Sequence, residues 1–363
     1  MNYPQKVQNF WNNFRFRFDD EELIHIRHGD RSSVIMGGDA WGSGEHLEAI
    51  TPAAAMSQVD GQPPIEFLLR SKDYFDYMEP VEIELRLRNL LPFSIEVDAR
   101  LSPKYGLVTI YIQNPDERIV VHNSVLYKEG LPSFKTLKST RDSEPGEDRY
   151  SENISLSYGK YGFNFSRAGE YRIRAIYQDS NMLLPSNILR LRIGRPLSRE
   201  DDEAAQNFFT YQVGMILQLK GSKSPLLADG NKLIEDMASR KKDTLLGAKL
   251  AMVLASSEAH KFFRIENRNV LRQIHKPNYQ KALDLTEPAV KVYKKNKQKA
   301  LNISYSRLVH NRVNVMMNMD NKKEAKNALN DLYQDLASRG VNSPVLNKIK
   351  SYEESIRDKP SGR

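Results

Sequence analysis

The sequence predicts a multidomain α and β chain, an antiparallel β-sandwich followed by an all-α helical bundle or short solenoid. Three observations carry this expectation. Tyr171, Ile173, Ala175 and Tyr177 alternate with Arg172, Arg174 and Ile176, and Leu189, Leu191 and Ile193 then alternate with Arg190 and Arg192. Earlier, Val81, Ile83, Leu85 and Leu87 alternate with Glu82, Glu84, Arg86 and Arg88. A period of two with one apolar face marks a half-buried strand. After Pro196 the apolar period lengthens to about 3.6, which marks helices.

Taken in order, residues 1–78 read as an aromatic, loop-rich extension. Phe14, Phe16 and Phe18 alternate with Arg15 and Arg17, predicting a short strand, and Leu23–Ile26 predicts another. Gly37–His46 and Thr51–Pro64 are rich in Gly, Pro and small residues and read as loops. Residues 79–195 read as the sandwich. Ile95, Val97, Ala99 and Leu101 repeat the strand pattern, and Leu107–Ile112 and Arg118–Val121 flank a turn at Asn114–Glu117. Lys135–Glu152 is polar and contains Pro and Gly, so it is expected to be a long exposed loop. Ile154–Ser157 is expected to add one more strand, and Gly169 supplies the turn before Tyr171.

Residues 196–363 read as helices. Ser198 followed by Asp201 resembles a capping box, with Asp202 and Glu203 in the first turn. Apolar stripes are expected at Ala205–Leu217, Leu226–Met237 and Leu246–Phe263. Four more helices are expected at Tyr279–Tyr293, Ala300–Met319, Lys322–Ser338 and Pro344–Ile356, with Gly340 as a left-handed C-cap.

The totals narrow the function classes. A chain of 363 residues is long enough for two ordinary cores. No run approaches the roughly 18 apolar residues of a membrane span, and the N-terminus as written lacks the apolar stretch of a secretion signal. With zero cysteines there are no disulfides, thiol nucleophiles or cysteine metal sites. A cytoplasmic location is therefore expected, with export after removal of a signal left open. The net charge of +8 permits anionic partners. A nucleic-acid signature would need that charge gathered on one face.

The strand Pro80–Asn89 and the closing segments Phe165–Tyr177 and Ser186–Ile193 resemble bacterial immunoglobulin-like or macroglobulin-like domains. In such domains the Tyr after the Gly makes a corner hydrogen bond, and Tyr171 matches that position. The last four expected helices form two hairpins of about forty residues and resemble a tetratricopeptide array. Both resemblances describe architecture and imply recognition rather than a reaction.

One segment points to catalysis. Leu23–Ser33 is similar to the Arg-His-Gly signature of histidine phosphatases. By that resemblance Arg27 and Arg31 would hold phosphate and His28, before Gly29, would attack phosphorus. The family's second catalytic His, followed by Asp, has no counterpart here. His25, His28 and His46, with Asp30 and Glu45 nearby, are the candidate metal ligands, although on a strand His25 and His28 face opposite ways. Lys291, Lys294, Lys295, Lys297 and Lys299 form a basic run beside Tyr293 that offers contacts to nucleic acid or anionic lipid. The competing reading is a solvated helix end. His122, His260, His275 and His310 are scattered and read as structural or exposed.

The leading expectation is a non-catalytic protein–protein interaction or scaffold component without a cofactor, binding another protein through sandwich loops or the helical array. A phosphatase-like or metal-dependent hydrolase and a nucleic-acid-associated protein are the alternatives.

Overall fold

The computed structural model describes residues 65–358, apart from 129, 142–145, 180–181, 267–269, 298 and 342, together with the backbone of two short paired strands, Arg15–Arg17 (β1) and Leu23–His25 (β2). The chain divides into two compact units, one of residues up to Tyr77 and Val81–Arg195, the other of Met78–Pro80 and Pro196 onward.

The first unit is two antiparallel sheets across one core. Ile65–Arg70 (β3), Glu82–Asn89 (β5) and Arg149–Ser155 (β10) form a three-stranded sheet with β5 central. The facing sheet runs Tyr74–Phe75 (β4), Leu189–Ile193 (β15), Gly169–Gln178 (β13), Val108–Gln113 (β7) and Ile119–Val121 (β8), with Leu183–Pro185 (β14) also pairing β13. Ile95–Asp98 (β6) pairs Phe134–Leu137 (β9), and Tyr158–Gly159 (β11) pairs Gly162–Phe163 (β12). Every pairing is antiparallel except β15 with β4, which is parallel.

The alternation read from sequence is the alternation of burial. Ile83, Leu85 and Leu87 of β5 meet Tyr171, Ile173, Ala175 and Tyr177 of β13 in one cluster, joined by Phe67, Ile110 and Leu191. Burying a Leu side chain of this kind is worth about 1.5–3 kcal/mol. Tyr171 makes the expected corner, its hydroxyl donating to the Arg167 carbonyl at 2.9 Å. The Asn114–Glu117 turn closes β7 onto β8, with Glu117 at φ 65°. Asn187 protects the β3 edge. Its side chain accepts from Leu69 N at 2.7 Å and donates to Leu69 O at 3.2 Å, as a neighbouring strand would.

Two expectations about this unit are corrected. The sandwich begins at Ile65, because β3 pairs β5 along its whole length, so the boundary at residue 79 is too late. Lys135–Glu152 is not a long exposed loop. Leu137 is buried in β9, and Arg149–Glu152 run within β10 beside β5. A polar sequence serves here because β10 is an edge strand, held by backbone hydrogen bonds to one neighbour, with Tyr150 and Ile154 its apolar residues against the core.

The second unit contains eight α-helices among the described residues: Arg199–Phe208 (α1), Tyr211–Leu219 (α2), Ala228–Arg240 (α3), Leu245–Ala259 (α4), Tyr279–Lys295 (α5), Asn302–Asn318 (α6), Lys322–Ser338 (α7) and Ser343–Asp358 (α8). From α2 onward each packs against the next in sequence. Ser198 caps α1 by accepting from Asp201 N. The stripe expected to run through Ala205–Leu217 is broken into α1 and α2, because Thr210 turns out of the helix and caps the second piece. The unit is also not wholly helical. Phe262–Glu266 (β16) and Val270–His275 (β17) form an antiparallel hairpin between α4 and α5, so the third helix ends at Ala259 rather than Phe263. Its β-branched and aromatic residues within a basic sequence have no helical period, which is why the helical pattern passes over them.

Candidate functional site

The residues singled out for phosphatase or metal chemistry, Arg27, His28, Gly29, Arg31 and His46, with Asp30 and Glu45, lie outside the described residues. His25 ends β2. Among the described residues no group of three or more His, Asp or Glu side chains stands close enough to share a metal. The remaining histidines sit apart in separate settings. His122 is buried against Asn164, His260 Nδ1 lies 2.8 Å from Ser256 O, His275 reaches Glu258, and His310 stacks on Tyr352.

The basic run is partly spent within its own unit. Lys297 pairs with Asp335 at 2.9 Å and Lys294 with Asp331 at 3.4 Å, both on α7, while Lys291, Lys295 and Lys299 are exposed. This is the pattern of a helix end satisfied by its neighbour.

The structure instead forms a groove where α4, α5 and α6 converge, with a cavity of about 140 Å³. Its floor is apolar. Ala255 of α4, Ala282 of α5 and Val315 of α6 are buried together there, and the two alanines are small enough to leave the space open. One wall is a row of amides, Asn311, Asn314 and Asn318, spaced so that they share one face of α6. Asn314 accepts a hydrogen bond from the Tyr352 hydroxyl at 2.8 Å. Asn311 and Asn318 are exposed, and their side-chain amides form no hydrogen bond with any described residue.

Arg312 holds this wall to the next helix. Pro288 within α5 cannot donate to the carbonyl one turn back, which weakens the helix ladder there. Arg312 Nη1 donates to Leu283 O at 2.9 Å and to Thr286 Oγ1 at 2.8 Å, and Nη2 pairs with Glu287 at 2.7 Å. Its charge is therefore largely satisfied, and the groove presents neutral polar groups above an apolar floor.

Glu258 anchors the far end of α4. Lys223 and Lys281 each approach its carboxylate at 2.7 Å and His275 at 3.5 Å. Burial alone pushes this carboxyl up, but the hydrogen bonds from Lys223 and Lys281 outweigh it and hold the group below the ordinary glutamate range. This cluster ties hairpin and helices together. The amide row lay within a helix legible in the sequence, but periodicity cannot distinguish a polar row facing a groove from one facing bulk water.

A cavity of this volume matches a benzene-sized guest, for which about 150 Å³ suffices. It is smaller than the roughly 300–1,000 Å³ of ordinary small-molecule pockets. One apolar side chain on the floor, with its peptide groups against the amides, fits the chemistry.

No family model matches the chain, and no curated protein matches it. Partial likeness to solved structures exists. A β-glucosidase from Listeria innocua in complex with isofagomine shares 12% identity over 38% of this chain and 19% of its own, with a TM-score of 0.21. The CARDB domain of the PF1109 protein from Pyrococcus furiosus, in complex with di-metal ions, shares 13% identity over 36% of this chain and 86% of its own, with a TM-score of 0.19. An alkylpurine DNA glycosylase from Pseudomonas fluorescens, bound to DNA with an abasic site analog, shares 6% identity over 36% and 31%, with a TM-score of 0.21. The chain spans about a fifth of the glucosidase's length. At these scores none of the three bears on what this chain binds or does.

Proposed function

We propose that this protein is a non-catalytic protein–protein interaction or scaffold component that receives a peptide segment of a partner in the groove between α4, α5 and α6. The carrying observation is the pairing of an apolar floor at Ala255, Ala282 and Val315 with the unengaged amides of Asn311 and Asn318. Side-chain amides both donate and accept, so they complement the N–H and C=O groups of a peptide backbone. The Tyr171 corner supports the immunoglobulin-like reading of the first unit, and helices packed in sequence order support the tetratricopeptide-like reading of the second. Architectures of both kinds commonly serve as recognition platforms.

A phage-displayed random peptide library panned on the full chain tests this reading. The expected result is enrichment of a shared motif built around one apolar residue, lost on the Asn311→Ala/Asn318→Ala variant and on Ala255→Leu, which fills the floor. Both variants should melt within a few degrees of the parent. No enrichment, or equal enrichment on the variants, overturns it.

A further inference from the structure

The outer face of the β13–β15 pair carries an arginine ladder. Arg172 stands directly opposite Arg190, Arg192 stands opposite Glu170, and Arg174 continues the same face of β13. Like charges directly opposed across strands are destabilising. Several arginines elsewhere in this unit are paired with acids. Arg100 meets Asp98, Arg88 and Arg149 meet Asp148, and Arg167 meets Asp116. On the ladder the one acid, Glu170, lies 3.5 Å from Arg172. Arg174 donates to Ser186 O at 3.2 Å. Arg190 and Arg192 are exposed and make no ion pair with any described residue.

Tyr74 of β4 flanks the ladder in register with Arg192 and is 49% exposed. Its hydroxyl occupies the place a Cβ on Gly194 would take, so the ring lies along this face. Four arginines and a single acid thus share one sheet face.

We propose that this face binds an acidic, extended segment of a partner protein, with Arg190 and Arg192 as the principal contacts. The spacing selects the class. Residues two apart on a strand are separated by about 6.8 Å, so carboxylates on alternate residues of an extended peptide repeat at the interval of Arg190 and Arg192. The guanidinium fork matches a carboxylate with two parallel hydrogen bonds. Single-stranded nucleic acid fits less well, because sequence-independent binders of that kind stack successive bases on several aromatic rings, and Tyr74 is the exposed aromatic along this edge. The inference does not rest on the helical groove.

The test is fluorescence anisotropy on the full chain with three labelled probes: a peptide alternating glutamate and threonine, a peptide of the same composition in two blocks, and an oligothymidylate strand. The expected result is tightest binding of the alternating peptide, weakened by salt. Arg190→Ala/Arg192→Ala should reduce that affinity at least about tenfold, with the fold intact because both side chains are exposed. Arg190→Lys/Arg192→Lys should fall between, since charge remains but the fork is lost. No binding of the alternating peptide at low salt, unchanged binding by the alanine variant, or tighter binding of oligothymidylate overturns the proposal.

Discussion

His122 shows how one buried side chain sets a pH response. It is 5% exposed, and burial pushes its imidazole down to about 4. The Asn164 amide nitrogen lies 2.9 Å from Nδ1, and an amide N–H donates, so Nδ1 accepts and the ring is neutral. In the unfolded chain the same ring takes its proton near 6.5. Between those values the unfolded state holds more protons, so the contribution is fully present above about 6.5 and is lost as pH falls toward about 4. His122→Gln should flatten this part of the profile, read as urea midpoints from neutral pH down to pH ~4.5. A profile as steep as the parent's would refute the assignment. Arg190 gives a second expectation at this scale. Arg190→Glu replaces repulsion from Arg172 with attraction, so stability should rise by about 0.2–1 kcal/mol while the acidic peptide is no longer bound. A lower urea midpoint would show that the opposed arginines carry no penalty.

At the scale of elements, the end of α7 can be tested with one residue. Gly340 sits at φ 70°, with Gly340 N donating to Ala337 O and Val341 N to Leu336 O, the two bonds of a Schellman cap. Nothing lies within 4 Å of a Cβ placed there, so Gly340→Ala should cost only the left-handed backbone term, about 1–2 kcal/mol. A neutral result by urea denaturation would mean that the cap is dispensable. This cap was legible in the sequence because its signal is local. So were β5, β13 and β15, whose apolar residues alternate against one core, and α5 to α8, whose stripes are long. The misses share a physical cause. Strand β10 is ordered by backbone pairing to β5, which leaves little trace in a polar edge sequence. The α1–α2 break depends on Thr210 preferring its cap to the helix interior. The groove depends on three helices meeting and on Arg312 reaching across to Leu283, contacts between residues far apart in sequence. Removal of an exposed loop at Lys135–Glu152 would leave folding intact, and the pairing of β10 with β5 reverses that expectation. The deletion takes half of the β10 pairing and Leu137 from the core, so it should abolish cooperative unfolding of the first unit; a deletion variant that melts like the parent would restore the loop reading.

At the scale of the whole molecule, the two proposed surfaces are built from different materials. The groove is made only from α4, α5 and α6, and depends on small side chains that leave space and on amides with unused hydrogen-bonding capacity. The ladder is made only from β13, β15 and the flanking β4, and depends on charges gathered by strand register. They share no residue, so their binding energies should add, as they do for independent sites, to within about 0.5 kcal/mol. Each unit also has its own buried cluster, one centred on β5 and β13 and the other on α6 and α7. Arg190→Ala/Arg192→Ala should therefore leave the affinity of a groove-selected peptide unchanged within about twofold, and Asn311→Ala/Asn318→Ala should do the same for the acidic peptide. The check is a full cycle of the parent, each double variant and their combination, titrated with both peptides. Additive losses would mean that one chain holds two segments at once by independent contacts, which is what a scaffold requires. Coupling of tenfold or more, about 1.4 kcal/mol, would mean that occupying one surface alters the other, and the protein would then be a switch rather than a scaffold.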